Sequence, residues 1–147
     1  MSGEVDAAAL AADPRVTWVD DVLRFGDTDL NGHVNNATFS VLAESGRVTM
    51  FRTRLGRDDT DPERFWVIAK LTIEFRQELH YPGRVRTATW LARVGRTSLG
   101  ISQAIFTADG ALAATAEAVC VSMARATRRP TELTAEMRGL ADALVRA

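Results

Sequence analysis

The sequence predicts an α+β fold: a curved antiparallel sheet of about five strands wrapped around one long central helix, with a further helix near the C-terminus. Three observations predict it. A β-like segment is followed by a helical segment, residues 36–51, whose only charged residues are Glu44 and Arg47, and a helix apolar on most sides must be buried. From residue 65 to Pro130 the pattern is that of long strands. Strand and helix do not alternate as a doubly wound sheet requires.

Each element follows in order. Residues 1–14 are Ala-rich, end at Pro14 and lack strand periodicity, which predicts a loose tail. Residues 16–25, "VTWVDDVLRF", are β-branched and aromatic enough for a first strand. "FGDTDLNG" gathers Gly and Asx residues into a turn. From Asn35 or Asn36 the period becomes helical, with Phe39, Leu42, Ala43, Gly46 and Met50 on one face. Gly46 in mid-helix costs roughly 1 kcal/mol relative to Ala and suits a close approach of another backbone. "GRDDTDPERF" is a charged loop.

Val67, Ala69, Leu71, Ile73 and Phe75 then alternate with Ile68, Lys70, Thr72, Glu74 and Arg76 as a half-buried strand. "HYPG" marks a turn, "RVRTATWLARV" a second long strand ended by Gly95, and "TSLGISQAIFTA" a third. Asp109–Gly110 is the strongest hairpin signal in the chain. A fourth strand of this series runs to the stop before Pro130. Leu133, Met137, Leu140 and Leu144 form one stripe of the last helix, with acids early and Arg146 late, as the helix dipole prefers. Exposed edges on such a sheet predict a homo-oligomer that covers them.

Whole-chain properties narrow the function. At 147 residues the chain fits a single domain, here taken as residues 15–147 after the tail. A net charge of -1 gives no field for nucleic acid or for an acidic membrane surface. The start carries Glu4 and Asp6 where a signal peptide carries positive charge, and no segment approaches the ~20 apolar residues of a membrane span. The single cysteine, Cys120, excludes an intrachain disulfide and reads as a buried structural thiol in a cytoplasmic protein.

Several chemistries lack their residues. There is no G-x-S-x-G elbow, no Lys after the second glycine of "GRTSLG", and no CxxC or His pair at helical spacing, so no metal or redox cofactor is implied. One dense polar stretch remains, "DLNGHVNN" at residues 29–36. Asn35 or Asn36 is a good N-cap, Gly32 a turn residue and Asp29 an Asx-turn former, which makes an ordinary helix start. The same helix start has free N–H groups and a positive dipole end that suit a carbonyl oxygen. Asp29, one short loop ahead, is placed to take a proton from water or to attack the carbonyl carbon. A thioester, with its good leaving group, fits so weak a base better than an amide.

The stretch "RFGDTDLNGHVNNATFSVLAESGR" resembles the signature of the 4-hydroxybenzoyl-CoA thioesterase-like branch of the hotdog superfamily: an aromatic, D-x-D, a G-[HV]-V step, an aromatic-led helix and E-x-x-R. Its D-x-N-x-H-V-N-N portion is also similar to plant acyl-ACP thioesterases. The resemblance implies a hotdog fold and hydrolysis of an acyl-CoA or acyl-ACP thioester, in a homodimer or homotetramer with sites built across the interface. Asp29 matches the catalytic carboxylate, as general base or as nucleophile, and Asn36 the residue whose backbone N–H holds the thioester oxygen. Asn31 and His33 match polar residues that orient the acid or the water. Glu44 matches a helix glutamate that faces the pocket in some members and is structural in others. Members that act on aryl thioesters often lack the "HVNN" form, which counts against an aromatic acyl group.

Coenzyme A would add a nucleotide with three phosphoryl groups. Arg93, Arg96 and Ser98 around Gly95, with Arg125, Arg128 and Arg129 after the last strand, are candidate phosphate contacts, or else a solvated arginine surface. His80 reads as a loop residue, and Trp66 and Trp90 as core. Two other functions use the same resemblance: a hydratase or dehydratase acting on an enoyl thioester, and a non-catalytic acyl-thioester-binding module.

Overall fold

The structure, a computed structural model, describes residues 4–57 and 60–146; the first three residues of the expected tail, and Asp58 and Asp59 of the charged loop, lie outside the described residues. The elements run α1 (Ala7–Ala12), β1 (Thr17–Val22), a short 3-10 turn (Phe25–Asp27), α2 (Asn36–Arg54), β2 (Arg64–Phe75), β3 (Arg84–Val94), β4 (Ser98–Thr107), β5 (Leu112–Ala124) and α3 (Ala135–Leu144). The strands form one sheet in the order β1-β3-β4-β5-β2, with every neighbouring pair antiparallel. The long helix α2 packs on one face of this sheet, which is the hotdog arrangement. None of the described helices is long and apolar enough to cross a membrane.

Helix α2 buries Phe39, Leu42, Ala43, Gly46, Arg47, Met50 and Phe51, the face its periodicity predicts. At its start Phe39 and Leu42 join Val34, Leu79, Val85 and Ile105 in one apolar cluster. At its end Met50, Phe51 and Leu55 join Leu91, Leu99, Ile101, Cys120 and Leu133 in a second. Between them the contact is polar. Arg47 Nη1 donates to Gln103 Oε1 at 3.0 Å, and Gln103 Nε2 donates to the Ala43 carbonyl at 2.7 Å and to Thr89 Oγ1 at 2.9 Å. Gly46 allows this approach, because a Cβ there would press on the Thr89 hydroxyl and lie 2.8 Å from Gln103 Nε2.

Three expectations need correction. Residues 7–12 are helical rather than loose: Asp6 caps α1, accepting the Ala8 and Ala9 N–H groups. Leu10 is buried with Ala88, Ala104 and Phe106, on the sheet face opposite α2. The helix is held there because Asp13 accepts from Arg15 and from Arg146 Nε at 2.9 Å, tying it to the far end of the chain.

Strand β2 does not keep one alternation. A bulge between Ile68 and Lys70 leaves Ala69 without a partner on β5. An extra residue reverses the facing of everything after it. Trp66 packs inward before the bulge, whereas Leu71, Ile73 and Phe75 do so after it. Of the stripe expected on the last helix, Leu133, Met137 and Leu144 face the core, but Ala141 and not Leu140 fills the place between them, and Leu140 is exposed. Thr134 fixes the helix start as N-cap, its hydroxyl accepting the Met137 N–H at 3.1 Å.

Candidate active site

The stretch 28–36 folds as a tight hairpin that delivers the start of α2. The Gly32 N–H donates to the Asp29 carbonyl and the Asp29 N–H to the His33 carbonyl, both at 3.1 Å. Gly32 has φ +80, the left-handed conformation this turn needs and glycine adopts without cost. Asp29 Oδ1 accepts the Asn31 N–H at 2.8 Å, so the Asx turn expected of it is present. The Asn35 N–H then donates to the Asp27 carbonyl at 2.8 Å, and Val34 bonds to the Leu79 carbonyl, which anchors the hairpin to the body of the protein.

Asn35, not Asn36, is the N-cap: its side chain accepts the Ala37 N–H at 2.9 Å and its carbonyl the Thr38 N–H at 2.9 Å. Asn36 is the first helical residue, and its own N–H has no acceptor among the described residues. That free donor stands at the positive end of a 19-residue helix.

A cavity of about 260 Å3 opens beside it, lined by His33, Val34, Asn36, Phe39, Phe75 and the 76–78 segment. Phe39 and Phe75 meet edge-on, with ring centroids 5.1 Å apart, and form an apolar wall directly behind the helix start. His33 is held by a contact of 3.2 Å between Nδ1 and the Val34 carbonyl. A carbonyl only accepts, so Nδ1 carries a proton and Nε2 is the nitrogen that faces Glu78 Oε1 at 3.8 Å. Glu78 also reaches His80 Nε2 at 3.3 Å through its other oxygen.

The structure thus brings Asp29, Asn31, His33 and Asn36 into one hairpin and helix start. His33 and Asn36 line the cavity; Asp29, half-buried in the turn, and Asn31, exposed, are not part of its lining. Glu44 is exposed on the outer side of α2, two turns along and away from this cavity. The expected phosphate contacts lie elsewhere. Arg93 Nη2 is 3.4 Å from Ser98 Oγ at the β3–β4 turn, Arg96 pairs with Glu132 at 2.9 Å, and Arg128 stacks 4.5 Å over Phe65. These belong to the end of the sheet where α2 finishes, about 27 Å along the helix from Asn36.

Sequence reasoning missed Glu78, Phe75 and the 76–77 segment as site residues. Phase along β2 places Phe75 on the inward face with Leu71 and Ile73, but nothing in the pattern shows that this face meets Phe39 at the start of α2. Glu78 lies 45 positions after His33 in a connection with no periodicity, and only the folded register makes them neighbours.

Comparison with solved structures agrees with this architecture. The chain is similar to PA5185 from Pseudomonas aeruginosa PAO1, at 25% identity and a TM-score of 0.81, over 89% of this chain and 92% of that one. It is similar to a predicted thioesterase from Bacillus stearothermophilus, at 27% identity and a TM-score of 0.81, over 89% and 97%. A thioesterase from Thermus thermophilus, complexed with coenzyme A and Zn, matches at 27% identity and a TM-score of 0.77, over 88% and 93%. No curated protein matches the chain. The model of the thioesterase-like superfamily matches residues 23–140, a span that holds the hairpin, α2 and all of β2 to β5. A free N–H at a buried helix's start, an acid one turn ahead and a family match across both agree: this chain is a thioester hydrolase and belongs to the thioesterase-like superfamily.

Proposed function

We propose that the chain hydrolyses acyl-CoA to the free carboxylic acid and the CoA thiol, using Asp29 and the Asn36 N–H. The observation that carries this reading is the unpaired Asn36 N–H at the mouth of a cavity backed by Phe39 and Phe75. A thioester oxygen on that donor gains a preorganised hydrogen bond that strengthens as negative charge develops. The acyl chain then has the aromatic wall to lie on. Asp29 serves either as base, taking a proton from the attacking water, or as nucleophile, forming a mixed anhydride that water opens. In both routes the C–S bond breaks and the thiolate leaves, to be protonated as CoA. Asn31 and His33 orient the acid and the water.

Coenzyme A is favoured as the thiol because the Thermus thermophilus relative was solved with it. Within one chain Arg93, Arg96, Ser98 and Arg128 are too far from Asn36 to meet the coenzyme's phosphates, so that role requires a second copy. A homodimer or homotetramer is supported by the open edge of β2 and by the exposed Val41 of α2, with Ile68 and Phe75 of β2 also partly exposed. Residues 15–147 are read as the catalytic domain, and the single buried thiol suits the cytoplasm.

The test is turnover of a series of acyl-CoAs by the protein and by Asp29→Asn and Asp29→Ala. A general base is worth about 100-fold to 10000-fold in rate, so both variants should lose at least two orders of magnitude. Full activity in either would remove Asp29 from the mechanism.

A further inference from the structure

A second and larger cavity, about 570 Å3, lies at the opposite end of α2. Its lining has an apolar part, Leu55, Trp66, Leu133 and Met137, and a cationic part that includes Arg64 and Arg125. Trp66 rests on Phe51, with ring centroids 4.9 Å apart, so its indole is a fixed wall. Two buried polar atoms here have no partner among the described residues: Ser122 Oγ, on a residue 1% exposed, and Arg64 Nε. Leaving a buried donor unpaired is costly, and here two converge on one cavity from two neighbouring strands. Arg125 donates through Nε to the Asp61 carbonyl at 2.9 Å, which leaves its terminal nitrogens for a ligand.

The remaining charges limit what fits. Arg52 and Arg57 also line the cavity but have partners of their own. Asp61 Oδ1 accepts the Glu63 and Arg64 N–H groups, at 2.8 and 3.1 Å, and the Asp61 carbonyl accepts from Arg125 Nε. Glu136 is exposed in the first turn of α3. Arg64 Nη1 lies 3.4 Å from Glu63 Oε2, so what remains among the described residues is the Ser122 hydroxyl, Arg64 Nε and the terminal nitrogens of Arg125, beside an apolar surface. That set matches the two oxygens of a single carboxylate and is too small for a group with several phosphates.

We propose that this cavity binds an amphiphilic carboxylate, with its head group on Ser122, Arg64 and Arg125 and its alkyl chain against Leu55, Trp66, Leu133 and Met137. The site is distinct, within one chain, from the cavity at Asn36, about 27 Å away along α2. It does not rest on the hydrolytic reading, although the acid released by that reaction has the required chemistry.

The experiment titrates the full chain with decanoate below its micellar range, reading melting temperature and tryptophan fluorescence. 1-Decanol, inorganic phosphate and adenosine 3′,5′-bisphosphate serve as comparison probes. Decanoate should give saturable stabilisation with a fluorescence change, and the other three should not. Asp29→Asn should leave that response intact. The double variant Arg64→Met/Arg125→Met should abolish it, and Ser122→Ala should weaken affinity about ten-fold, as for loss of one hydrogen bond to a charged group. If the double variant fails to fold, Ser122→Ala and Trp66→Phe carry the test, the latter keeping the thermal response and losing the fluorescence change. Four results would overturn the proposal. They are equal binding of decanol, equal binding of the bisphosphate, a response lost in Asp29→Asn but kept in the cavity variants, and no saturable response. Absence of acyl-CoA turnover would not touch it.

Discussion

The Asn35 side chain accepts the Ala37 N–H at 2.9 Å, while the N–H of Asn36 between them has no acceptor among the described residues. The cap and the proposed oxyanion donor are thus adjacent but separable. Proline is well tolerated at the first helical position, where its missing N–H would be unpaired anyway. Asn35 has φ -60 and ψ 138, a conformation that also suits a residue preceding proline. Asn36→Pro should therefore leave the melting temperature unchanged or slightly raised. It should lower kcat by about 100-fold to 1000-fold, the usual cost of deleting one oxyanion donor. An enzyme of normal rate would show that the oxygen is held elsewhere.

Substitutions of the cap itself should separate in the opposite sense. Asn35→Ala loses the bond to Ala37 and should cost about 1 kcal/mol in urea unfolding. Asn35→Asp keeps a cap of equal rank, so stability should hold. It also puts a negative charge beside the thioester oxygen, and kcat/KM should fall about ten-fold or more.

Gly46 gives a case where helix propensity predicts the wrong sign. Gly46→Ala in an isolated helix gains about 1 kcal/mol. Here the added methyl meets the Thr89 hydroxyl and the Gln103 amide, which also hold Arg47 and the Ala43 carbonyl. Overpacking at such a site costs about 1–3 kcal/mol. The net result in denaturant unfolding should be destabilisation, with no gain at any pH.

Asp13 makes stability depend on pH. The Arg15 side chain, then its backbone N–H, and also Arg146 hold the Asp13 carboxyl well below the usual carboxylate range. A group depressed in the folded state stabilises at pH values above its unfolded pKa of about 3.9, and that contribution is lost as pH falls toward the folded value. Asp13→Asn should lower the melting temperature at pH 7. The gap to the unsubstituted protein should narrow steadily below about pH 4. A gap that is constant with pH would make the loss one of packing rather than charge.

The buried helix, the long strands and the Asp109–Gly110 turn were legible because each has a local signature. Phe39 to Met50 repeat at helical spacing, and Gly110 takes the φ of +91 that its turn demands. The hairpin of residues 28–36 was legible too, since its turn and cap residues act on their near neighbours. Leu10 was not, because one apolar residue in an Ala-rich segment gives no period, and its seat forms only when β3 and β4 bring Ala88 and Ala104 together. Gln103 was read simply as part of a strand. Its role depends on which side chain of α2 lies above it, and Arg47 is 56 positions away.

The bulge at Ala69 divides β2 into two stretches of opposite parity. Trp66 and the far cavity belong to one, and Leu71, Ile73 and Phe75, with the wall behind Asn36, to the other. Removing that single residue would leave Ile68 opposite Cys120, Lys70 opposite Val119 and Leu71 opposite Ala118 as a regular ladder, with Leu71, Ile73 and Phe75 still facing α2. For anyone redesigning the strand, Ala69 is therefore a seam. Either side can be recut without changing the facing of the other, as long as Ile68 stays opposite Cys120 and Lys70 opposite Val119.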